Sequence, residues 1–211
     1  MRKAALLMKV FTFHGGLYAA NCYLVTDEKG ENGVLVDPSV PLEAARACHG
    51  GLPHIEALLL THAHFDHMLY LEEWRRETGA PLALMREDSF ALGDAGLNCY
   101  RMFLRKEITF PPAERLLADG DTVSVGREAL RVLALPGHTP GSAAFVGDGF
   151  ILTGDTVFAD GGVGRWDLPG GSAAALRASL QRFFSLEGEY TLYPGHGAPA
   201  LFSTEKKFTR L

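Results

Sequence analysis

Apolar residues fall in short runs broken by glycine, proline and acidic turns, a rhythm that predicts buried strands alternating with amphipathic helices. Residues 10–13 and 22–26 read as the first two strands, separated by the turn-rich His14-Gly15-Gly16, and 33–36 as a third that Asp37-Pro38 ends. Pro41 suits a first helical turn, after which Leu42, Ala45 and Cys48 repeat at helical spacing. The run at 57–60 predicts a fully buried strand. Met68, Leu71 and Trp74 then mark one face of a helix that Gly79 stops, with His67 in its first turn. A strand at 82–85 and a short helix at 86–92 follow. Residues 93–114, with Asn98, Cys99, Tyr100 and Phe103 and closing on Pro111-Pro112, show no clean period, the mark of either an active-site rim or a plain loop. Strands are predicted again at 122–125 and 130–135, on both sides of Gly147-Asp148-Gly149, and at 191–193. Ser172 is placed to cap a helix whose buried stripe is Leu176, Leu180, Phe183 and Phe184.

Composition narrows the classes. With 211 residues, 47% of them hydrophobic, the chain can bury a substantial core, and a single domain over 1–211 is expected. A net charge of -5 and the lack of any long basic run argue against nucleic-acid partners. Arg2-Lys3 and the apolar residues after them briefly imitate a secretion signal, but Lys9 cuts the run short, and no stretch is long enough to span a membrane. Cys22, Cys48 and Cys99 are scattered and odd in number, which suits reduced, buried thiols and a cytoplasmic location. His49 and His54, around Gly50-Gly51, are expected to be exposed loop histidines. Nothing in the sequence fixes an oligomeric state.

The chemistry concentrates at predicted strand ends. THAHFDH at 61–67 puts His62, His64, Asp66 and His67 directly after a buried strand; PGHTPGS at 136–142 delivers His138, TGDT at 153–156 delivers Asp155, and PGHG at 194–197 delivers His196. Imidazoles and carboxylates ligate borderline and hard divalent ions, and the spacing suggests two adjacent metal positions rather than one closed zinc knot. Asp37 is either an ordinary turn residue or a hydrogen-bond partner that holds a ligand histidine in place. Ser142, Ser172 and Cys99 lack the neighbouring base a nucleophile needs. Two ions roughly 3.5–4 Å apart can share a water and lower its pKa, making hydroxide available to attack a carbonyl at neutral pH.

The HxHxDH motif, the PGHTPGS, GDTVF and PGHG segments and their order resemble the metallo-β-lactamase superfamily over nearly the whole chain. The resemblance implies an α/β fold of four layers, an αββα sandwich. It implies His62, His64 and His138 as ligands of one metal, Asp66, His67 and His196 as ligands of a second, and Asp155 as the bridging carboxylate, with Asp66 also orienting the attacking hydroxide. Zinc is the expected ion, and iron and manganese suit the same donors. GDTVF and the loop GRWDLPGG look most like the glyoxalase II-like group, which hydrolyses thioesters such as S-lactoylglutathione, so a small-molecule thioester is the expected partner. Arg165 matches a recurrent position in that loop, and Arg165 and Trp166 are candidate substrate contacts. Glyoxalase II enzymes carry a C-terminal helical domain that supplies glutathione contacts; fifteen residues follow His196 here, so glutathione recognition is not carried over. Lys206, Lys207 and Arg210 either meet a substrate carboxylate or serve as helix C-terminal cations. Persulfide dioxygenases, with an iron triad that would be His62, His138 and Asp155, are the main rival; a β-lactamase, which usually has cysteine where Asp155 stands, and a non-catalytic metal module rank lower.

Overall fold

In the computed structural model, which describes residues 8–209 apart from Leu17, Ala19 and Gly50, two six-stranded sheets face each other. The first contains, in chain order, β1 (Met8–His14), β2 (Asn21–Asp27), β3 (Asn32–Val36), β4 (His54–Leu59), β5 (Leu82–Met85) and β6 (Arg115–Leu117). Its first three strands pair antiparallel, and β3 to β6 run parallel. The second contains β7 (Thr122–Val125), β8 (Glu128–Ala134), β9 (Ala143–Gly147), β10 (Phe150–Gly154), β11 (Thr191–Pro194) and β12 (Ala200–Leu201), again in chain order. There the pairing is antiparallel except between β10 and β11.

Period-two alternation sets the layering. Tyr23, Val25, Val34, Val36 and Leu59 face β8 to β10 across the inter-sheet core, where they meet Val132, Phe145 and Leu152. The alternate positions Cys22, Leu24, Leu35 and Leu58 lie under α1 (Leu42–His49) and α2 (Leu71–Thr78), with Trp74 and Leu71. On the far side, Leu133, Ala144, Ile151 and Leu192 lie under α4 (Ala173–Phe184) and Phe202 of α5 (Phe202–Phe208). Helices therefore cover both outer faces, the αββα arrangement. Where β2, β3 and the end of β4 are buried on both faces, residues 22–25, 34–36 and 57–59 read as continuous apolar runs rather than alternating ones.

Several expectations hold at the residue level. Ser172 Oγ accepts from Ala175 N at 3.3 Å and caps α4, whose stripe Leu176, Leu180, Phe183 and Phe184 is buried. Gly79 ends α2 in a left-handed conformation, φ 66°. Cys22 and Cys99 are buried; the side chains of Cys48 and His49 lie outside the described residues, as do Arg2, Lys3 and Arg210. His54 is exposed, but it opens β4 instead of sitting in a loop.

Others need correction. His67 is not in the first turn of α2: it closes a separate 3-10 turn, Phe65–His67, bonded from His67 N to His64 O and Met68 N to Phe65 O, and α2 starts only at Leu71. Tyr70 N donates to Pro38 O, which ties this break to the end of β3. The 93–114 segment contains the short helix α3 (Tyr100–Leu104), entered through Cys99 at φ 67°, and leads into β6. Strands as short as β6 and β12 carry no periodic signal. No helix among the described residues is long and apolar enough to cross a membrane.

Candidate metal centre

Strands that run side by side end together, and the loops leaving β4, β8, β10 and β11 converge at one edge of the sandwich. His62 and His64 follow β4, His138 follows β8, Asp155 follows β10 and His196 follows β11. Three groups of potential ligand atoms result: His62, His64 and His138; His62, His67 and Asp155; and Asp66, His67 and His196, the atoms of each lying within 4.8 Å of one another.

Hydrogen bonds at the back of the His138, His62 and His67 rings decide which nitrogen faces the cluster. His138 Nδ1 lies 2.7 Å from the Arg165 carbonyl, which can only accept, so Nδ1 carries the hydrogen and Nε2 is bare. Thr61 Oγ1 donates to Asp37 Oδ2 at 2.8 Å and so accepts from His62 Nδ1 at 3.1 Å, which leaves His62 Nε2 bare as well. Asp37 Oδ2 also takes the His67 Nδ1 hydrogen at 2.8 Å, and His67 Nε2 is buried with no hydrogen-bond partner.

The bare nitrogens of His62 and His138 then point at one another. His62 Nε2 and His138 Nε2 are 3.1 Å apart, and His64 Nδ1 is 2.9 Å from His138 Nε2. The first of these contacts sets two lone pairs face to face with no proton to share, in a site where His62, His64 and His138 are almost fully buried. A cation accepting those two lone pairs, with His64 Nδ1 as a third donor when the His64 hydrogen is on Nε2, resolves that repulsion, and the donor set is one that borderline divalent ions take. Asp155 Oδ1, buried without a hydrogen bond, and His67 Nε2, 3.4 Å from it, make the same case on the second side. The residues present fit two ions.

Electrostatics favour ionised Asp66 and Asp155 and divide the imidazoles, His62 and His64 shifting down and His67 and His196 shifting up. Burial, reinforced by neighbouring rings, pushes His62 well below the usual imidazole range and His64 down to about 3. Burial alone would raise the Asp155 and Asp66 pKa values, but the surrounding histidines outweigh it and hold both carboxyls below the usual range. For His67, burial acts downward and is overcome by Asp37 and Asp155, so without a cation these carboxylates favour a proton on that ring. A cation would take the place of that proton.

Asp37 thus does more than end a strand. It sits at φ 54°, a left-handed conformation that aspartate tolerates, and binds Thr61 N at 2.8 Å as well as the Thr61 hydroxyl and His67. Asp37→Asn keeps the backbone conformation but weakens the acceptor behind His67. The expected result is a metal affinity about 10–100-fold lower, measured by competition against a chelator.

Three positioning residues escaped the sequence reading. Asp88, 3% exposed, accepts from Ala63 N (3.0 Å) and Thr139 Oγ1 (2.8 Å) with one oxygen and from Gly141 N (2.6 Å) with the other, locking the HxHxDH loop to the PGHTPGS loop. Asn21 Nδ2 donates to Pro194 O (3.0 Å) and Gly197 O (2.9 Å), and Tyr23 OH donates to Pro194 O, clamping the PGHG loop to the first sheet. Of the three, only Asn21 left a sequence signal, a polar residue at the mouth of an apolar strand. Ser142 and Ser172, by contrast, are occupied with loop and cap hydrogen bonds.

A cavity of about 500 Å³ opens over the cluster. Arg165 lines it, whereas Trp166 is 49% exposed and stands outside its wall. Lys206 lies over the Phe202 ring and neither it nor Lys207 lines the cavity.

An αββα sandwich with histidines and aspartates gathered at the strand ends defines a metalloprotein of the metallo-hydrolase type. The chain belongs to the metallo-beta-lactamase superfamily, whose sequence model matches residues 15–196. It is 38% identical over 153 residues, 71% of this chain and 72% of the relative, to a protein of Bacillus subtilis described as "Probable metallo-hydrolase YqgX". Among solved structures it is similar to TTHA1623 in a di-iron-bound form, with 34% identity, a TM-score of 0.80 and coverage of 95% of this chain and 98% of that one. It is also similar to the BLEG-1 B3 metallo-beta-lactamase, with 27% identity, a TM-score of 0.85 and coverage of 94% and 97%.

Proposed function

We propose that this metallo-hydrolase holds two divalent cations and hydrolyses thioesters, the class that S-lactoylglutathione represents. One observation carries the reading: Asp155 Oδ2 lies 3.6 Å from His138 Nε2 and 3.6 Å from His196 Nε2, so one carboxylate reaches both donor groups. His62, His64 and His138 would hold the first ion, and Asp66, His67 and His196 the second. When bound, such ions polarise a carbonyl oxygen and lower the pKa of water towards neutrality. Asp66 keeps a partly exposed carboxylate at the cavity floor, 3.1 Å from His196 Nε2. Being ionised, it can accept a hydrogen from an attacking water and orient it. Phe65 and Phe103, stacked at 5.3 Å, shield one side of the floor from bulk solvent. Cys99 is no nucleophile: burial first, then the Asp66 charge, push its thiol up to about 11.

An iron triad of His62, His138 and Asp155 would leave Asp66, His67 and His196 gathered without a task, which favours the hydrolase over the dioxygenase. The test is to strip the protein with a chelator, reload it separately with zinc, manganese or anaerobic iron(II), and count metal per chain. Each form is assayed with S-lactoylglutathione and simple acyl thioesters, with nitrocefin, and for oxygen uptake with glutathione persulfide. Two ions per chain and thioester hydrolysis that chelation removes are expected. A single iron with persulfide-dependent oxygen uptake, or nitrocefin turnover exceeding that of every thioester, would overturn the reading.

A further inference from the structure

Beyond the metal donors, Cys99 and Arg165, the cavity wall is aromatic and aliphatic. Phe65 and Phe103 stack with 21° between their planes, Tyr18 lies 6.5 Å from Phe65, and Phe158 meets His196 edge-on at 6.3 Å. Val163 and Leu168 continue the lining. Tyr18 and Phe103 are 55% and 43% exposed, so this apolar surface is open to whatever enters. Arg165 is the cation of the lining, and its Nε and Nη2 both bind the Asp167 carboxylate at 2.7 Å, so the pair brings no net charge to the cavity. Glutathione and other charged carriers bring carboxylates that need unpaired donors, and burying them against this wall would be costly. An uncharged hydrocarbon arm gains from the same surface.

We infer that the cavity selects thioesters whose acyl arm is uncharged and apolar, aliphatic or aromatic, in preference to short hydroxylated arms such as lactoyl. The inference rests on the thioester reading and names the substrate class of that same site. The arm would lie along Phe65 and Phe103, with the carbonyl at the metal donors. Each methylene buried there is worth about 0.8 kcal/mol, or roughly fourfold in kcat/KM, until the wall is covered.

The experiment holds the thiol constant as N-acetylcysteamine and varies the acyl group through acetyl, lactoyl, butyryl, hexanoyl and phenylacetyl, using zinc-loaded protein. Hexanoyl is expected to exceed acetyl at least tenfold in kcat/KM, through KM, and Phe103→Ser should narrow that ratio at least fivefold. In parallel, calorimetry measures binding of ketone analogues in which a methylene replaces the sulfur. Affinity should rise with arm length in the parent and flatten in Phe103→Ser. Turnover of the short thioesters with no gain from longer arms, in rate or in analogue affinity, would sink this inference and leave the thioester reading standing. If no thioester is hydrolysed, the thioester reading falls. The analogues then decide the wall alone: length-dependent affinity supports it and flat affinity overturns it.

Discussion

Asp66→Ala is expected to fold as the parent does and to lose thioester hydrolysis by about 10²–10⁴-fold or more, the range for removing a positioned acid or base. The separation of effects follows from what the side chain touches. Asp66 sits in the 3-10 turn, and its structural contribution there is a backbone one: its carbonyl accepts from Ala20 N at 3.1 Å, a bond that alanine preserves. Its carboxylate contacts His196, whose side chain is 41% exposed, so truncation strands no buried donor. A stability change within about 1 kcal/mol is expected, read from the melting temperature beside kcat/KM. An alanine variant with parental activity would show that the carboxylate neither orients water nor completes the second donor group.

The second large effect is expected at Gly195. A Cβ added there would collide with Asp155 Oδ1 and come 2.8 Å from His67 Cε1, two groups assigned to the metals. The loop cannot retreat, because Gly195 N donates to Gly154 O at 2.8 Å and Gly195 O accepts from Asn21 N at 2.7 Å. Gly195→Ala should therefore displace the ligands themselves, with loss of one metal per chain, an activity at least about 10²-fold lower from misplacement alone and about 1–3 kcal/mol of overpacking strain. Gly93→Ala, where an added Cβ meets nothing within 4 Å, is the control and should change neither metal content nor melting temperature. Parental metal content in Gly195→Ala would mean that the donors are not arranged as assigned.

Legibility differed by residue. His62, His64, Asp66 and His67 stood out because four ligating side chains behind an apolar run have little structural reason to be there. His138 and His196 were marked by flanking glycine and proline, which force tight loops at strand ends. Asp37 could be read either as a turn or as a support, since a lone acidic residue before proline has the same letters in both roles; its contacts with Thr61 and His67 appear only once β3 and β4 are paired. Asp88 had no signal at all. Its three partners are 25, 51 and 53 residues away in sequence, and its neighbours form an ordinary 3-10 stretch. Trp166 could be read either as a pocket contact or as packing for a related reason: an aromatic beside a candidate contact says nothing about which side of the chain it faces.

By itself, then, the sequence determined which segments are buried, which residue types could bind a cation, and that each of those residues lies at the end of a strand. These are local properties, set by hydrophobic period and by the donor chemistry of single side chains. Tertiary structure alone decided that the ends meet, which imidazole nitrogen each ring turns to the cluster, that Asp155 reaches both donor groups and that aromatic carbon walls the approach. Those facts depend on strand order, sheet packing and hydrogen bonds between residues far apart in the chain, and no window of neighbouring letters contains them.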